Sequence, residues 1–127
     1  MNNLVKKLML AAAMLMLAVG PSFAADAIRI GLMCPLTGKW ASEGQDMQQI
    51  VSLLVSEVNK AGGINGRNIE LIVEDDAGDP RTASLAAQKL ASAGVMAVIG
   101  TYGSAVTEAS QNIIDEAEIM QIATGST

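Results

Sequence analysis

The sequence predicts an α/β fold, a parallel sheet with helices on both faces, built in the order βαβαβαβ. Three observations predict it. After Asp26 the apolar residues switch repeatedly between two spacings: continuous runs of strand length, and stripes at intervals of three and four. Runs and stripes strictly alternate, and strands that alternate with helices are joined by right-handed crossovers into a parallel sheet. One run, residues 95–99 (VMAVI), is apolar throughout, as suits a strand covered on both faces.

Residues 28–33 (IRIGLM) form the first strand. Met47, Ile50, Val51, Leu54 and Val58 then share one stripe of an amphipathic helix over about 44–61. Gly62-Gly63 stops that helix, because glycine takes the left-handed conformation of a helix end without a Cβ penalty. Asn65-Gly66 is a tight-turn dipeptide, and 69–74 (IELIVE) is the second strand. Asp79-Pro80 marks the next helix start: aspartate accepts from free N–H groups, and proline suits the first helical position. This helix runs to about Ala93 and ends at Gly94. The third strand, 95–99, leads through a loop at 100–103 to Ser104. Ser104 is a candidate cap for a third helix, with Val106, Ala109, Ile113 and Ala117 on one stripe. Residues 119–122 form a short fourth strand, and 123–127 are turn-like.

The amino terminus has a different pattern. Residues 1–7 carry Lys6 and Lys7, and residues 8–19 are an unbroken apolar run. Pro21 breaks the run, and Ser22 and Ala24 put small residues where a signal-peptide cleavage site needs them. A run of about a dozen residues is too short to span a bilayer, which takes roughly 20. The expectation is a signal peptide at 1–24, cleavage after Ala24 and a periplasmic location; an uncleaved anchor is the other reading. The remaining stretch of about 100 residues suffices for one small domain.

Composition removes several function classes. The chain has 13 acidic and 8 basic residues, a net charge of −5, and two of its lysines lie in the leader. An acidic chain without a basic cluster repels phosphate backbones, so nucleic acid is not an expected partner. There is no histidine, which removes His acid–base catalysis and His metal ligation. The single cysteine, Cys34, excludes an intrachain disulfide. Bulky Met33 stands before it where lipid attachment wants a small residue, so a buried small apolar side chain is the preferred reading.

In an open parallel sheet, ligands bind beyond the carboxyl ends of the strands. Segments 34–43, 75–79, 101–104 and 123–127 occupy that edge, and three of them are rich in Gly, Ser and Thr. Ser104 offers a hydroxyl at a helix start, whose free N–H groups and positive end suit a carboxylate or phosphate. It also fits a purely structural cap. Asp75 and Asp76 read as solvated loop acids rather than a metal or phosphoacceptor pair. Trp40, the only tryptophan, either covers a ligand or packs on the first helix. Gly31-Leu32-Met33-Cys34 lacks the glycine spacing of a dinucleotide fingerprint. With no histidine, no nucleophile–base pair of the usual kind is available. No enzymatic activity, metal or cofactor is expected.

Several motifs together resemble the opening of the periplasmic branched-chain amino-acid-binding proteins. They are Ile30-Gly31, Pro35-Leu36-Thr37-Gly38 with Gly44, and Asn59-Lys60-Ala61-Gly62-Gly63-Ile64-Asn65-Gly66. Asp75-Asp76 with Asp79-Pro80, then Val98-Ile99-Gly100 with Ser104, follow in the same order. The resemblance runs from about residue 27 to the end. It implies a type I periplasmic binding protein, whose two α/β lobes close on a ligand and deliver it to an ABC permease in the inner membrane. It makes 25–127 the N-terminal part of lobe 1, with the second lobe absent from this sequence. It implies that Ser104 helps hold the ligand's α-carboxylate and ammonium. It adds Gly125, by its carbonyl, and Thr127, by its hydroxyl. Tyr102, and Trp40 and Glu43 of the 34–43 loop, are the further candidates around them on the same edge. Some members carry a disulfide at the positions of Gly78 and Gly103, which glycine at both places rules out here.

The expected function is the exported substrate-binding component of an ABC transporter, for an amino acid of branched-chain type or a similar small amide. Three rivals stay open: a ligand-sensing domain for a receptor or chemotaxis partner, a truncated remnant that binds nothing, and a receiver-like phosphoacceptor at Asp75 or Asp76. Because closure needs both lobes, the 127-residue chain alone is expected to bind amino acids poorly.

Overall fold

Strands β1 (Ile28–Cys34), β2 (Ile69–Asp75), β3 (Ala97–Ile99) and β4 (Met120–Ile122) form one sheet in the order β2-β1-β3-β4. This is a computed structural model, and it describes residues 26–127; the expected signal peptide and its cleavage site lie outside the described residues. Every neighbouring pair of strands is parallel. Helices α1 (Ala41–Lys60), α2 (Pro80–Ser92) and α3 (Ser104–Glu116) make the crossovers. β1 and β2 pair along their whole length, from Ile28 opposite Ile69 to Cys34 opposite Asp75.

The two-residue period of the strands sorts the side chains between the faces. Met33, Ile72 and Val98 point to one side and pack with Ala86, Ala87 and Leu90 of α2 and Ile114 of α3. The alanines let α2 approach closely, and Gly31 leaves room for Leu90, whose methyls would lie 3.1 Å from a Cβ there. This face holds the buried core. The other face carries α1, which rests on β1 and β2. Val51, Leu54, Val55 and Val58 of α1, with Ile30, Ile69, Ala97, Ile99 and Ile122 of the sheet, line a wholly apolar groove of about 310 Å³.

That groove corrects two expectations. The α1 stripe is only half covered: Gly44 is the one buried residue of the helix, and Ile50 and Leu54 are 60% and 59% exposed. β3 is covered on one face only, with Val98 buried and Ala97 and Ile99 partly exposed. Among the described residues, α1 lies over the β1–β2 pair and nothing packs above β3 and β4 on that side.

The turn chemistry follows the sequence closely. Ile64 and Arg67 exchange both backbone hydrogen bonds, at 2.8 and 3.0 Å, with Asn65 and Gly66 at positive φ between them. Asp79 accepts from the N–H groups of Arg81 and Thr82 at 3.1 and 2.9 Å, and Pro80 opens α2 behind it. Boundaries differ more. α1 starts at Ala41, not Gly44, because the Gly44 N–H already donates to the Trp40 carbonyl at 3.0 Å. β3 starts at Ala97, not residue 95, since Val95 turns into the core. α3 is not capped by Ser104: Gly103, with φ 110°, holds the N-cap position and makes no side-chain cap bond. The buried stripe of α3 is Val106, Ser110 and Ile114 rather than one ending at Ala117. Ser110 can be buried because its hydroxyl donates to the Thr107 carbonyl and accepts from Gln121 Nε2.

Candidate functional site

The strand order reverses direction at β1. The chain leaves β1 toward α1 on one face, and leaves β3, the adjacent strand, toward α3 on the other. Loops that part in this way open a crevice between the carboxyl ends of the two strands. Trp40 comes from the first loop and Tyr102 from the second. Their rings meet edge to face across the crevice, 5.5 Å between centroids and 64° between planes. Lys39 Nζ lies 4.6 Å from the centre of the Trp40 ring. Thus Trp40, left between two roles by the sequence, packs on Tyr102 and on the Gly78 backbone.

Two glycines back these rings. A Cβ at Gly78 would come within 2.9 Å of Trp40 Cδ1, and one at Gly125 within 2.8 Å of Tyr102 Cδ2. Glycine at both positions lets the 76–79 loop and the turn after β4 lie flat against the aromatic pair. Thr124 ties that turn to the β3 loop, its N–H and hydroxyl both donating to the Thr101 carbonyl at 3.1 Å.

Ser104 opens α3, and its hydroxyl is paired with Thr127. It accepts from the Thr127 N–H at 3.2 Å and donates to the Thr127 carbonyl oxygen at 3.3 Å. Ser104 and Thr127 are therefore neighbours at the helix start, with Gly125 against Tyr102 and Tyr102 against Trp40. Among the described residues, Glu43 has no hydrogen bond to this group. It lies in the first turn of α1, where the positive end of the helix favours an acid.

The paired aspartates are not solvated loop acids. Asp75 closes β2 and holds two loops together. It accepts from Leu36 N at 2.8 Å, Thr37 N at 3.3 Å, Thr37 Oγ1 at 2.6 Å and Ala77 N at 2.8 Å. Burial works against its charge, but the bonds from the Thr37 hydroxyl and the three N–H groups outweigh that and hold its pKa below the usual range. With both oxygens so engaged, Asp75 has little left to offer a metal or phosphate. Asp76 is fully buried. One oxygen accepts from Gly78 N at 2.8 Å, and the other has no partner among the described residues. Burial, against the pull of that one bond and with the Asp75 charge beside it, raises its pKa. Cys34 is buried as expected, and burial, followed by the charges of Asp76 and Asp75, pushes its thiol up to about 12. A thiol so held is no nucleophile.

Sequence reasoning missed the hydroxyls of Thr101, Thr107 and Ser126, which meet inside this edge. Their signal was the three-residue spacing of Thr101, Ser104 and Thr107 at a helix start, together with the Ser/Thr content of 124–127.

Residues 27–127 match the family described as periplasmic binding protein. The leucine-, isoleucine-, valine-, threonine- and alanine-binding protein of Pseudomonas aeruginosa is 38% identical over 107 residues, which is 84% of this chain and 28% of that protein. Leu/Ile/Val-binding protein homolog 2 of Brucella abortus is 38% identical over 112 residues, 88% of this chain and 30% of that protein. Among solved structures, a branched-chain amino acid transporter substrate-binding protein from Streptococcus pneumoniae, in complex with isoleucine, has a TM-score of 0.77 at 30% identity. That likeness covers 80% of this chain and 29% of the other. The chain therefore spans less than a third of the length of these relatives. By the family match over 27–127, the 38% identity to these relatives and the shared fold, the chain belongs to the periplasmic binding protein family, among its branched-chain amino-acid-binding relatives.

Proposed function

We propose that this chain contributes the first-lobe half of the binding cleft in an exported substrate-binding component of an ABC transporter. Its ligand is an amino acid of branched-chain type or a similar small amide. Cleavage after Ala24 releases it to the periplasm, and residues 25–127 are the N-terminal part of lobe 1. The ABC permease in the inner membrane is its partner, and it performs no chemistry on its cargo. One observation carries this reading: the Ser104 hydroxyl and the Thr127 backbone sit beside the Trp40–Tyr102 pair at the switch point. A polar anchor next to an aromatic wall suits a small ligand with a charged head and an apolar side chain. Ser104 donates to the ligand carboxylate, and Gly125 and Thr127 complete the polar end. Tyr102 and Trp40 form the apolar wall, and Glu43 lies at the rim.

Intact mass of the protein recovered from the periplasm of its host tests the export and the extent of the chain together. A mass well above that of 25–127, followed by saturable binding of leucine, isoleucine or valine in calorimetry, is the expected result. Recovery of 25–127 alone, binding nothing in that panel, would make the remnant reading correct.

A further inference from the structure

The hydroxyl of Thr107 is used to its full capacity. It donates to the Gly103 carbonyl at 3.0 Å and is in hydrogen-bond contact with both Thr101 Oγ1 and Ser126 Oγ. A hydroxyl has one proton and two lone pairs. With its proton committed to Gly103, Thr107 must accept the other two bonds, so Thr101 and Ser126 are the donors. A helical threonine bonded to the carbonyl four residues back is ordinary. The other two bonds are not, because they join separate pieces of chain. Thr101 belongs to the β3 exit, Gly103 to the N-cap of α3, and Ser126 to the turn after β4.

Each of these three residues adjoins a proposed ligand contact. Thr101 precedes Tyr102, Gly103 precedes Ser104, and Ser126 lies between Gly125 and Thr127. Thr101 is fully buried, so its hydroxyl has no water to fall back on when its partner is lost. Ser110, donating to the Thr107 carbonyl and bonded to Gln121, fixes the same helical turn to β4. Thr107 itself is half-buried behind the crevice.

We infer that Thr107 is a positioning residue of the ligand site, one hydroxyl that sets Ser104 and the 125–127 turn in register with each other. The inference rests on the binding function proposed above. In the protein as its host makes it, Thr107→Val is expected to weaken leucine or isoleucine binding about tenfold in calorimetry, as the loss of the two bonds to Thr101 and Ser126, which join separate pieces of chain, implies. Thr107→Ser, which keeps the hydroxyl, is expected to stay within about threefold of wild type. Ser126→Ala removes one bond from the exposed side, so it reports even where Thr107→Val folds poorly, and about a fivefold loss is expected. Combining Thr107→Val with Ser126→Ala is expected to add nothing further, since both remove the same bond. Without ligand, amide exchange at Thr124, Ser126 and Thr127 is expected to quicken in Thr107→Val and not in Thr107→Ser. Wild-type affinity in Thr107→Val, or an equal loss in Thr107→Ser, would overturn the inference. If wild type binds no amino acid, the function proposal fails, and the exchange rates alone decide whether Thr107 positions the turn.

Discussion

The Ser104 hydroxyl donates its proton to the Thr127 carbonyl oxygen in this structure. On the binding function proposed above, a ligand carboxylate competes for that proton. Ser104→Ala is expected to weaken amino-acid binding by roughly 1.5–3 kcal/mol, the range for a hydrogen bond to a charged group. Unchanged affinity in calorimetry would remove Ser104 from the site. The two aspartates give a second test, because their pKa values move in opposite directions. Asp75, lowered, stabilises the fold above the unfolded aspartate pKa of about 3.9, and that contribution is lost as pH falls through its folded value. Asp76, raised, contributes stability that is present below about pH 3.9 and lost as pH rises through its folded value. Asp76→Asn cannot ionise and keeps an oxygen for Gly78 N. Its melting temperature is expected to gain on wild type as pH rises above about 4. A difference between the two that stays constant from pH 3 to 8 would show that Asp76 is not the titrating group. Nothing in Asp75-Asp76 as a dipeptide separates the two. Only the end of β2, which points one toward Thr37 and the other into the protein, does so.

α1 shows how far an element can be read from its residues. Its stripe, its Gly62-Gly63 exit and the Asn65-Gly66 turn were legible because they follow from local periodicity and backbone freedom. Its start was not. Gly44 looks like a helix boundary, yet it lies inside the first turns because the helix crosses the Pro35 backbone there, and a Cβ would overlap the Pro35 carbonyl. That contact joins residues from different elements, which local pattern does not encode. Gly44→Ala is therefore expected to destabilise the protein. Overpacking costs about 1–3 kcal/mol, against a gain of roughly 1 kcal/mol from alanine's helix propensity. A higher urea midpoint for the variant would show that α1 can shift away. The cap of α3 differs from the expected Ser104 for a related reason. Ser104 has the right chemistry for a cap, but the positive φ of Gly103 turns the chain one residue earlier and leaves Ser104 facing Thr127.

Among the described residues, α2 and α3 pack one face of the sheet, and the other stays open beside α1. The apolar groove beside α1 continues to the edge strand β4, where Met120 and Ile122 are 63% and 54% exposed. Exposed apolar surface beside an unpaired strand edge invites association. Residues 25–127 produced alone are expected to self-associate as concentration rises, and Leu54→Glu with Ile122→Lys to reduce it. Light scattering that reports a monomer at every concentration would show that the groove closes on itself. The parallel register also governs how quickly the chain can fold. Ile28 pairs with Ile69, and Ile30 with Ala97, so each strand and its neighbour in the sheet are separated in sequence by at least one whole helix. Such distant pairing is slow to form. On the export reading proposed above, slow pairing of the four strands keeps the chain threadable when it reaches the translocation pore, and the sheet is completed on the far side.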